Sequence, residues 1–175
     1  MLILRDMIEN DIEDYVRWFT ADTEWGNWDA PWEPFEDDEE TVCENFRNQY
    51  DTLNNYSGTK YRFEIELDGE HIGWVGSYRD LVYMENTDNI PVIGITIPSV
   101  QHRRNGNGTK ALLLFIDYWK KLGYSHIYTQ TWSGNYPMIK LADKLGFKEV
   151  CRKKDYREVN GQKYDAVTFK LDFSK

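Results

Sequence analysis

The sequence predicts a single mixed α/β domain, with a mostly antiparallel sheet of about six to seven strands flanked by about four helices. Length is the first observation, because 175 residues suit one domain and no linker or internal repeat divides them. The others are a series of hairpin signals and one β-α-β unit, from Val92 to Thr131. We therefore expect residues 1–175 to form one domain.

Periodicity and end signals place the elements of the first half. Apolar residues at helical spacing follow Asn10 or Asp11, either of which can cap a helix. The stretch from Trp25 to Phe35 has two prolines and no periodicity, which predicts a loop. The regular elements are a strand Leu2–Arg5, a helix from Asp11 to Phe19, a helix from Asp38 to Leu53, and strands Tyr61–Leu67 and His71–Tyr78, joined by an Asp68-Gly69 hairpin turn.

The second half alternates strands and helices after a polar loop at residues 79–89. Glycines at positions 123 and 146 end two helices, and Asn160-Gly161 predicts a hairpin turn. The elements are strands Val92–Ile97, His126–Thr131, Phe147–Arg157 and Lys163–Phe173, a long helix before Gly123, and a helix from Pro137 to Leu145. The long helix is expected to bury Leu112, Leu113, Phe115, Ile116, Trp119 and Leu122.

Composition excludes several classes of protein. The chain is 41% hydrophobic and 15% aromatic, which is enough to build a core without disulfides. The mean hydropathy is −0.71 and no long apolar run occurs, so we expect no membrane span. Cys43 and Cys151 stand far apart in no metal-type spacing, and the first residues lack the basic region of a signal peptide. We expect a reducing, cytoplasmic setting and no metal.

Charge is distributed unevenly along the chain, whose formal net charge is −9. Residues 1–100 hold 23 acidic and 6 basic residues, whereas residues 101–175 hold 7 acidic and 15 basic ones. This polarity argues against nucleic-acid binding and fits a protein that meets a cation on its first half and an anion on its second. The alternative is a solubilising acidic surface with ordinary basic scatter.

A glycine-rich stretch follows the Val92–Ile97 strand. Gly106 and Gly108 lack side chains where the backbone must turn and a ligand must approach. A helix begins there, so its free N–H groups and positive dipole end favour an anion, and Arg103 and Arg104 add full charges. The stretch therefore predicts a pyrophosphate-binding loop, with a plain tight turn as the alternative.

Two other phosphate-binding motifs fit this stretch poorly. A P-loop needs Gly-Lys-Ser/Thr, but Gly108 is followed by Thr109 and then Lys110. The pattern Gly106-x-Gly108-x-x-Ala111 satisfies the dinucleotide fingerprint, yet the strand ends too far upstream and no acid follows about 20 residues later. A single β-α-β unit also argues against a dinucleotide fold.

The sequence resembles the GNAT superfamily of N-acetyltransferases. Their acyl-CoA loop reads Gln/Arg-x-x-Gly-x-Gly/Ala, which Arg103 to Gly108 match in full. A second family motif, an Asn before a short helix that ends in Gly-Phe, is matched by Asn135 and by Gly146-Phe147. The resemblance covers residues 92–150 and is closest to the ribosomal-protein and aminoglycoside 6′-N-acetyltransferase-like group.

The resemblance implies a GNAT fold in which a splayed parallel strand pair, Val92–Ile97 and His126–Thr131, admits acetyl-CoA. The acetyl group would pass directly to an unprotonated amine. The implied binding residues are Ile95, Thr96 and Ile97 for the pantetheine and thioester, Asn135 for the pantetheine arm, and Arg103, Arg104, Asn105, Gly106, Asn107, Gly108 and Thr109 for the pyrophosphate.

The chain departs from the family pattern at the positions that supply acid and base. Ala142 stands where many relatives have a Tyr acid, and Met138 where ribosomal-type relatives often have a Ser. Apolar Val92 replaces a carboxylate that is common early in the central strand. Tyr136 is a substitute acid, or simply packs near the helix start.

The acceptor side is predicted in the acidic, aromatic segment from Trp25 to Glu33. Aromatic faces and carboxylates suit an ammonium group through cation–π contact and charge pairing. Asp29 and Glu33 are the candidates for amine anchor or base; the substrate-binding set is Trp25, Trp28, Asp29, Trp32 and Glu33. The alternative is a Trp-rich lid with solvated acids. Glu64 and Glu66 alternate on one strand and predict a solvent face.

Three functions fit these observations. The first is an acetyl-CoA-dependent N-acetyltransferase acting on a small cationic amine, such as a polyamine or an aminoglycoside-like molecule. The second keeps this chemistry but acts on a protein N-terminus. The third is a catalytically silent acyl-CoA-binding module. In each case we expect a monomer or homodimer.

Overall fold

The computed structural model describes residues 1–81, 84–85 and 89–173, so the predicted loop at 79–89 lies partly outside the described residues. Seven strands are seen there: β1 (Leu2–Arg5), β2 (Arg62–Leu67), β3 (Glu70–Tyr78), β4 (Val92–Thr96), β5 (His126–Trp132), β6 (Lys148–Val159) and β7 (Gln162–Asp172). Five α-helices accompany them: α1 (Asp11–Thr20), α2 (Gly26–Asp29), α3 (Glu39–Asn54), α4 (Asn107–Lys121) and α5 (Tyr136–Lys144). None of the helices in these ranges is long and apolar enough to cross a membrane.

The strands form one sheet in the order β1-β2-β3-β4-β5-β7-β6. Every neighbouring pair is antiparallel except β4 and β5, which confirms the predicted mixed, mostly antiparallel sheet. In the described residues β4 and β5 share one registered pair, Val92 with Tyr128, beside a hydrogen bond of 2.9 Å from the Tyr128 N–H to the Pro91 carbonyl. The two strands therefore separate beyond this point, as the predicted splay requires.

Both faces of the sheet are covered by helices. Helix α4 packs on one face, where Phe115 and Trp119 join the main hydrophobic core. Helices α1 and α3 cover the other face, where Tyr15, Trp18 and Phe46 pack together. The central strands are thus covered by helices on both faces, except where they line the cleft described below.

The core face of α4 is narrower than predicted. Leu112 is fully buried, but Leu113 is 52% exposed and Leu122 is 46% exposed, so both were wrongly assigned to the core. Successive helical residues point about 100° apart, so Leu113 turns away from the sheet when Leu112 faces it. Leu122 is the residue that caps the helix end, beyond its last packed turn.

The predicted loop from Trp25 to Phe35 begins with helical turns. A 3-10 turn spans Thr23–Trp25 and α2 follows it directly. The Phe35 ring folds back over the start of α2, so closely that a Cβ on Gly26 would lie 2.5 Å from it. Both prolines lie after the end of α2 and therefore do not interrupt it.

Gly73 is required where β3 approaches β4. Its φ is +150°, and a Cβ there would lie 2.1 Å from the Thr96 carbonyl oxygen. Gly73→Ala is therefore expected to lower the free energy of unfolding by about 2 kcal/mol, because backbone and not a flexible side chain must move. Urea denaturation measures the change. Gly94→Ala is the control, since its Cβ would meet nothing within 4 Å; equal stability of the two variants would contradict the prediction.

Candidate active site

The separation of β4 from β5 opens a cleft of about 350 Å³ that is continuous with the space under α2 and α3. Of the residues predicted for cofactor or acceptor, Asp29, Ile95, Thr96 and Asn135 line it. Ile97 lies just beyond the end of β4. Sequence reasoning missed several cleft residues, because only the packing of elements distant in sequence brings them together. They are Gln49 on α3, Tyr61 just before β2, Arg62 on β2, Tyr78 on β3 and Gln130 on β5.

The glycine-rich loop ends at an open helix N-terminus. Gly106 is the residue before α4 and adopts the left-handed conformation, with φ of +81°, and no side chain caps the helix. The first N–H groups of α4 therefore keep their capacity to bind an anion. Arg104 also has a positive φ of +62° and is exposed beside this turn. The loop fits a diphosphate in both charge and backbone geometry.

The polar side chains of this loop fix its shape. Arg103 donates to the carbonyls of Ile97, at 2.8 Å, and of Pro98, and it forms an ion pair of 2.6 Å with Glu24. The side chains of Asn105 and Asn107 donate to the backbone carbonyls of Gln101 and His102. The guanidinium of Arg103 is thus engaged within the protein, whereas that of Arg104 remains at the surface.

Asn135 stands at the opposite wall of the cleft as the N-cap of α5. Its side-chain oxygen accepts a hydrogen bond of 3.1 Å from the Met138 N–H. This bond fixes the orientation of the carboxamide. The amide NH₂ group has no hydrogen-bond acceptor among the described residues, so it is the part of Asn135 that can donate to a ligand carbonyl.

A family model for the acetyltransferase (GNAT) domain matches residues 1–148. The chain belongs to the GNAT acetyltransferase family. It is an acetyl-CoA-dependent enzyme, and the fit of the loop and cleft to that ligand agrees with this membership.

Solved structures share the fold of this GNAT enzyme. It is similar to the GNAT-family acetyltransferase from Bacillus anthracis, with 17% identity, a TM-score of 0.74, and 98% of this chain and 94% of that chain covered. It is also similar to RimL, a ribosomal L7/L12 α-N-protein acetyltransferase in complex with coenzyme A, with 14% identity, a TM-score of 0.77, and 98% of this chain and 93% of that chain covered. A third similar structure is YncA from Salmonella typhimurium with acetyl-CoA, with 16% identity, a TM-score of 0.69, and 99% of this chain and 95% of that chain covered. No curated protein matches the chain in sequence.

The acid and base positions of GNAT relatives are apolar here. Ala142 is fully buried on α5, and Met138 lines the cleft. Tyr136, the predicted substitute acid, is 60% exposed at the start of α5 and does not line the cleft. Ala142 and Met138 therefore offer no acidic proton to the leaving thiolate.

The aromatic segment divides into packing residues and one cleft residue. Trp25 is buried: its ring meets Phe19, Phe35 and Trp74, and its indole N–H donates to the Trp18 carbonyl. Those contacts make Trp25 part of the structural core. The segment therefore does not present all its rings to an acceptor.

The other two tryptophans of the segment, Trp28 and Trp32, make contacts within the protein. The Trp28 indole donates to Glu24, and the Trp28 carbonyl accepts from the Trp132 indole at 2.7 Å. Trp32 lies against Trp132 and under the Arg157 guanidinium, 4.6 Å from its ring centre. The Glu33 carboxylate accepts from the Trp32 indole and does not line the cleft.

Asp29 is the one predicted acidic residue that the structure brings to the cleft. The surrounding protein partly dehydrates its carboxylate, and this effect, with the negative charge of Glu33, raises the pKa of Asp29 above its usual value. The residue still reaches solvent. It can therefore pair with an ammonium group, and it holds a proton more readily than an ordinary aspartate.

Glu64 was wrongly predicted to lie on a solvent face, since it is fully buried beneath α1. Its carboxylate accepts from the Tyr15 hydroxyl at 2.5 Å and lies 3.0 Å from the His71 Nε2. The other ring nitrogen of His71 lies 3.1 Å from Asp14 and 3.3 Å from Asp11. We call Tyr15, Glu64, His71, Asp11 and Asp14 the buried polar network.

The buried polar network holds a protonated histidine. Burial alone lowers the pKa of His71, but its hydrogen bonds to Asp14 and Glu64 and the negative charges of Glu64 and Asp11 outweigh this and raise the pKa to about 9. Asp11, Asp14 and His71 could geometrically surround a cation, with ligand atoms within 4.8 Å of one another. Here two hydrogen bonds of 2.7 Å from Arg5 engage Asp11. The positive charge of protonated His71 balances the carboxylates in place of a metal cation.

Proposed function

We propose that this enzyme acetylates the primary amine of a small cationic acceptor, with Asp29 as the group that holds the amine. One observation carries the proposal: the Asp29 carboxylate lines the same cleft as β4 at Ile95 and Thr96, whose edge towards β5 is open. An ammonium group bound beside Asp29 would thus lie within the cleft that the acyl donor enters. Charge pairing there orients the amine for direct transfer.

The chain offers binding groups for the pyrophosphate and the pantetheine of acetyl-CoA, which supplies the acetyl thioester. The N-terminus of α4 would hold the pyrophosphate through the N–H groups that follow Gly106, and Arg104 would add charge. Ile95 and Thr96 would bind the pantetheine through the open edge of β4, and the Asn135 amide would donate to it. These residues orient the thioester carbonyl towards the acceptor side of the cleft.

Proton removal precedes transfer, since only an unprotonated amine can attack a carbonyl carbon. Asp29 would accept that proton, directly or through water, and its raised pKa favours this role. The amine nitrogen then bonds to the acetyl carbon, the carbon–sulfur bond breaks, and the sulfur leaves with the electron pair. The nitrogen releases its second proton to solvent, which completes the amide. Ala142 and Met138 stand at the usual acid positions, and Tyr136 is exposed, so the thiolate would take its proton from solvent.

Release of free CoA thiol, followed across a panel of acceptors, tests this function. Polyamines and aminoglycoside-like amines should give turnover, and peptides with free N-termini should give little. Turnover on peptides alone would favour the protein N-terminal acetyltransferase that the sequence left open. Binding of acetyl-CoA without turnover on any acceptor would favour the silent module.

Asp29→Asn is expected to lower kcat/KM for the amine about tenfold or more, because a charge-assisted contact is lost. Affinity for acetyl-CoA should stay unchanged. The fall in wild-type activity on the acidic side should begin above the usual pKa of an aspartate, since the pKa of Asp29 is raised, and this limb should disappear in the variant. Steady-state kinetics across pH measure both effects.

Glu33→Gln is the matched control for Asp29→Asn. It removes a neighbouring carboxylate of the same segment that does not line the cleft. Near neutral pH it should leave kcat/KM within about twofold of wild type, because Glu33 does not line the cleft. Since the charge of Glu33 contributes to the raised pKa of Asp29, its removal should shift the acidic limb of the pH profile to lower pH without abolishing it. Equal losses in the two variants would show that the general acidity of the segment, and not Asp29 at the cleft, holds the acceptor.

The same proposal treats residues 1–175 as one catalytic domain in a cytoplasmic, reducing setting. Residues after 148 are part of the fold, because β7 pairs with β5 from His126 to Trp132 and so supports one wall of the cleft. Cys43 and Cys151 are free thiols, which a reducing setting would preserve.

A further inference from the structure

Two glycines, Gly76 and Gly94, lie side by side on the sheet between the splayed strands and Arg62. Arg62 on β2 stands opposite Gly76 on β3, and Gly76 stands opposite Gly94 on β4. A Cβ on Gly76 would meet only the Tyr61 carbonyl, at 4.0 Å, and one on Gly94 would meet nothing within 4 Å. All three positions line the cleft, so its floor is open between β4 and the arginine.

The Arg62 guanidinium is held in place beside this floor. Its centre lies 5.2 Å from the Tyr15 ring and 5.0 Å from the Trp74 ring, and it donates to the Tyr15 hydroxyl and, at 3.3 Å, to Glu64. The side chain is 16% exposed. Among the described residues its Nη1 has no acceptor, so one N–H edge of a fixed guanidinium remains for a ligand.

The buried polar network leaves the charge of Arg62 available. Glu64, the carboxylate nearest to Arg62, also lies 3.0 Å from His71, which is protonated near neutral pH. Asp11 is paired with Arg5 and Asp14 with Arg17. Arg62 is therefore not the sole cation neutralising Glu64, and its positive charge acts on the contents of the cleft.

We propose that the acceptor of this enzyme carries an acidic group as well as its amine, and that Arg62 binds the acidic group. The inference rests on the proposed function and narrows it: the amine lies at Asp29, and a carboxylate reaches across the glycine floor to Arg62. Among small amines, the preferred acceptor is then an amino acid, ahead of amines that carry no acidic group. A planar guanidinium edge suits a carboxylate because both groups can form two parallel hydrogen bonds.

Matched acceptors test the inference without altering the protein. Several amino acids, with the amine at the α position or at the end of a longer chain, are each compared with their carboxamide and with the amine that lacks the acid. For at least one amino acid, kcat/KM should be about tenfold or more above the values for its carboxamide and for the amine that lacks the acid. The difference should lie mainly in KM, because the two comparison compounds cannot form the charge-assisted pair with Arg62. Equal values throughout would overturn the inference while leaving the proposed function standing.

Variants at Arg62 test the residue itself. Arg62→Gln should reduce the preference for the acid to within about twofold, and Arg62→Lys should retain part of it, because the charge persists without the planar edge. Arg47→Gln, which removes an exposed arginine of α3, should leave the preference intact. If Arg62→Gln fails to fold, Arg62→Lys and the wild-type comparison still decide.

The outcomes separate this inference from the proposed function. An unchanged preference in both Arg62 variants would overturn the inference, because the acid would then be bound elsewhere. Turnover on polyamines above that on every amino acid would overturn it too, yet support the purely cationic acceptor. Failure of every small amine, with or without an acid, would overturn both.

Discussion

Gly108→Leu is expected to weaken acetyl-CoA binding by about 100-fold or more. A Cβ on Gly108 would lie 3.5 Å from a Leu141 methyl and 3.9 Å from methyls of Ile95 and Ile97, so a single methyl fits and a larger side chain does not. Leucine would push the start of α4 away from β4 and α5. Two charge-assisted bonds to the pyrophosphate are worth about 1.5–3 kcal/mol each, which sets the size of the loss.

Calorimetric titration with acetyl-CoA and with free CoA measures this loss. Gly108→Ala is the graded control, because its methyl meets its neighbours at ordinary contact distance and should change affinity by less than about threefold. Thermal unfolding confirms that the leucine variant is folded. Full affinity in a folded Gly108→Leu protein would mean that the pyrophosphate binds elsewhere.

The order and type of the elements could be predicted because local chemistry specifies them. Asp68-Gly69 and Asn160-Gly161 adopt positive φ at both residues, as a two-residue hairpin turn requires, and they connect the predicted strands. Gly146 follows α5 with φ of +87° and so ends the helix as expected. These signals act within a few residues, so one sequence suffices to interpret them.

The polar residues under α1 could not be predicted in this way. Alternation placed Glu64 and Glu66 together on one face of β2, but alternation does not reveal what covers that face. Helix α1 covers it, and its Tyr15 hydroxyl meets Glu64 from 49 positions away. The same long-range packing brings His71 to Asp14, a pairing that no local spacing suggests.

The candidate site was predicted unevenly for a related reason. The loop at Gly106 is a local motif, and its conformation agrees with the prediction. Asp29 and Glu33 look equivalent in sequence, yet α2 brings only Asp29 to the cleft. No sequence pattern marks Arg62 as a cleft residue, because its access to the cleft depends on Gly76, which lies opposite it on β3, and on Gly94, which lies opposite Gly76 on β4.

The free energy of unfolding is expected to fall as the pH rises from about 6.5 to about 9, through deprotonation of His71. Its folded-state pKa of about 9 lies above the unfolded value of 6.5. Its stabilisation is thus fully present below pH 6.5 and is lost as the pH passes the folded value. The difference between the two values corresponds to about 3 kcal/mol.

The groups facing His71 from each neighbouring element explain the size of this effect. Asp11 and Asp14 approach from α1 and Glu64 from β2, all within 3.3 Å. Losing the proton leaves three carboxylates around a neutral ring in a site where His71 is only 8% exposed. Close charges in such a site are poorly screened, so the loss should persist at high salt.

Urea denaturation at intervals between pH 6 and 9.5 measures the effect, and two histidine variants assign it. His71→Gln should be less stable than wild type at pH 6 and should lose most of the pH dependence. His102→Gln removes a histidine that pairs with exposed Glu70 and should keep that dependence. A wild-type stability that is flat or rises over this interval would show that His71 is not held as a cation by the buried polar network.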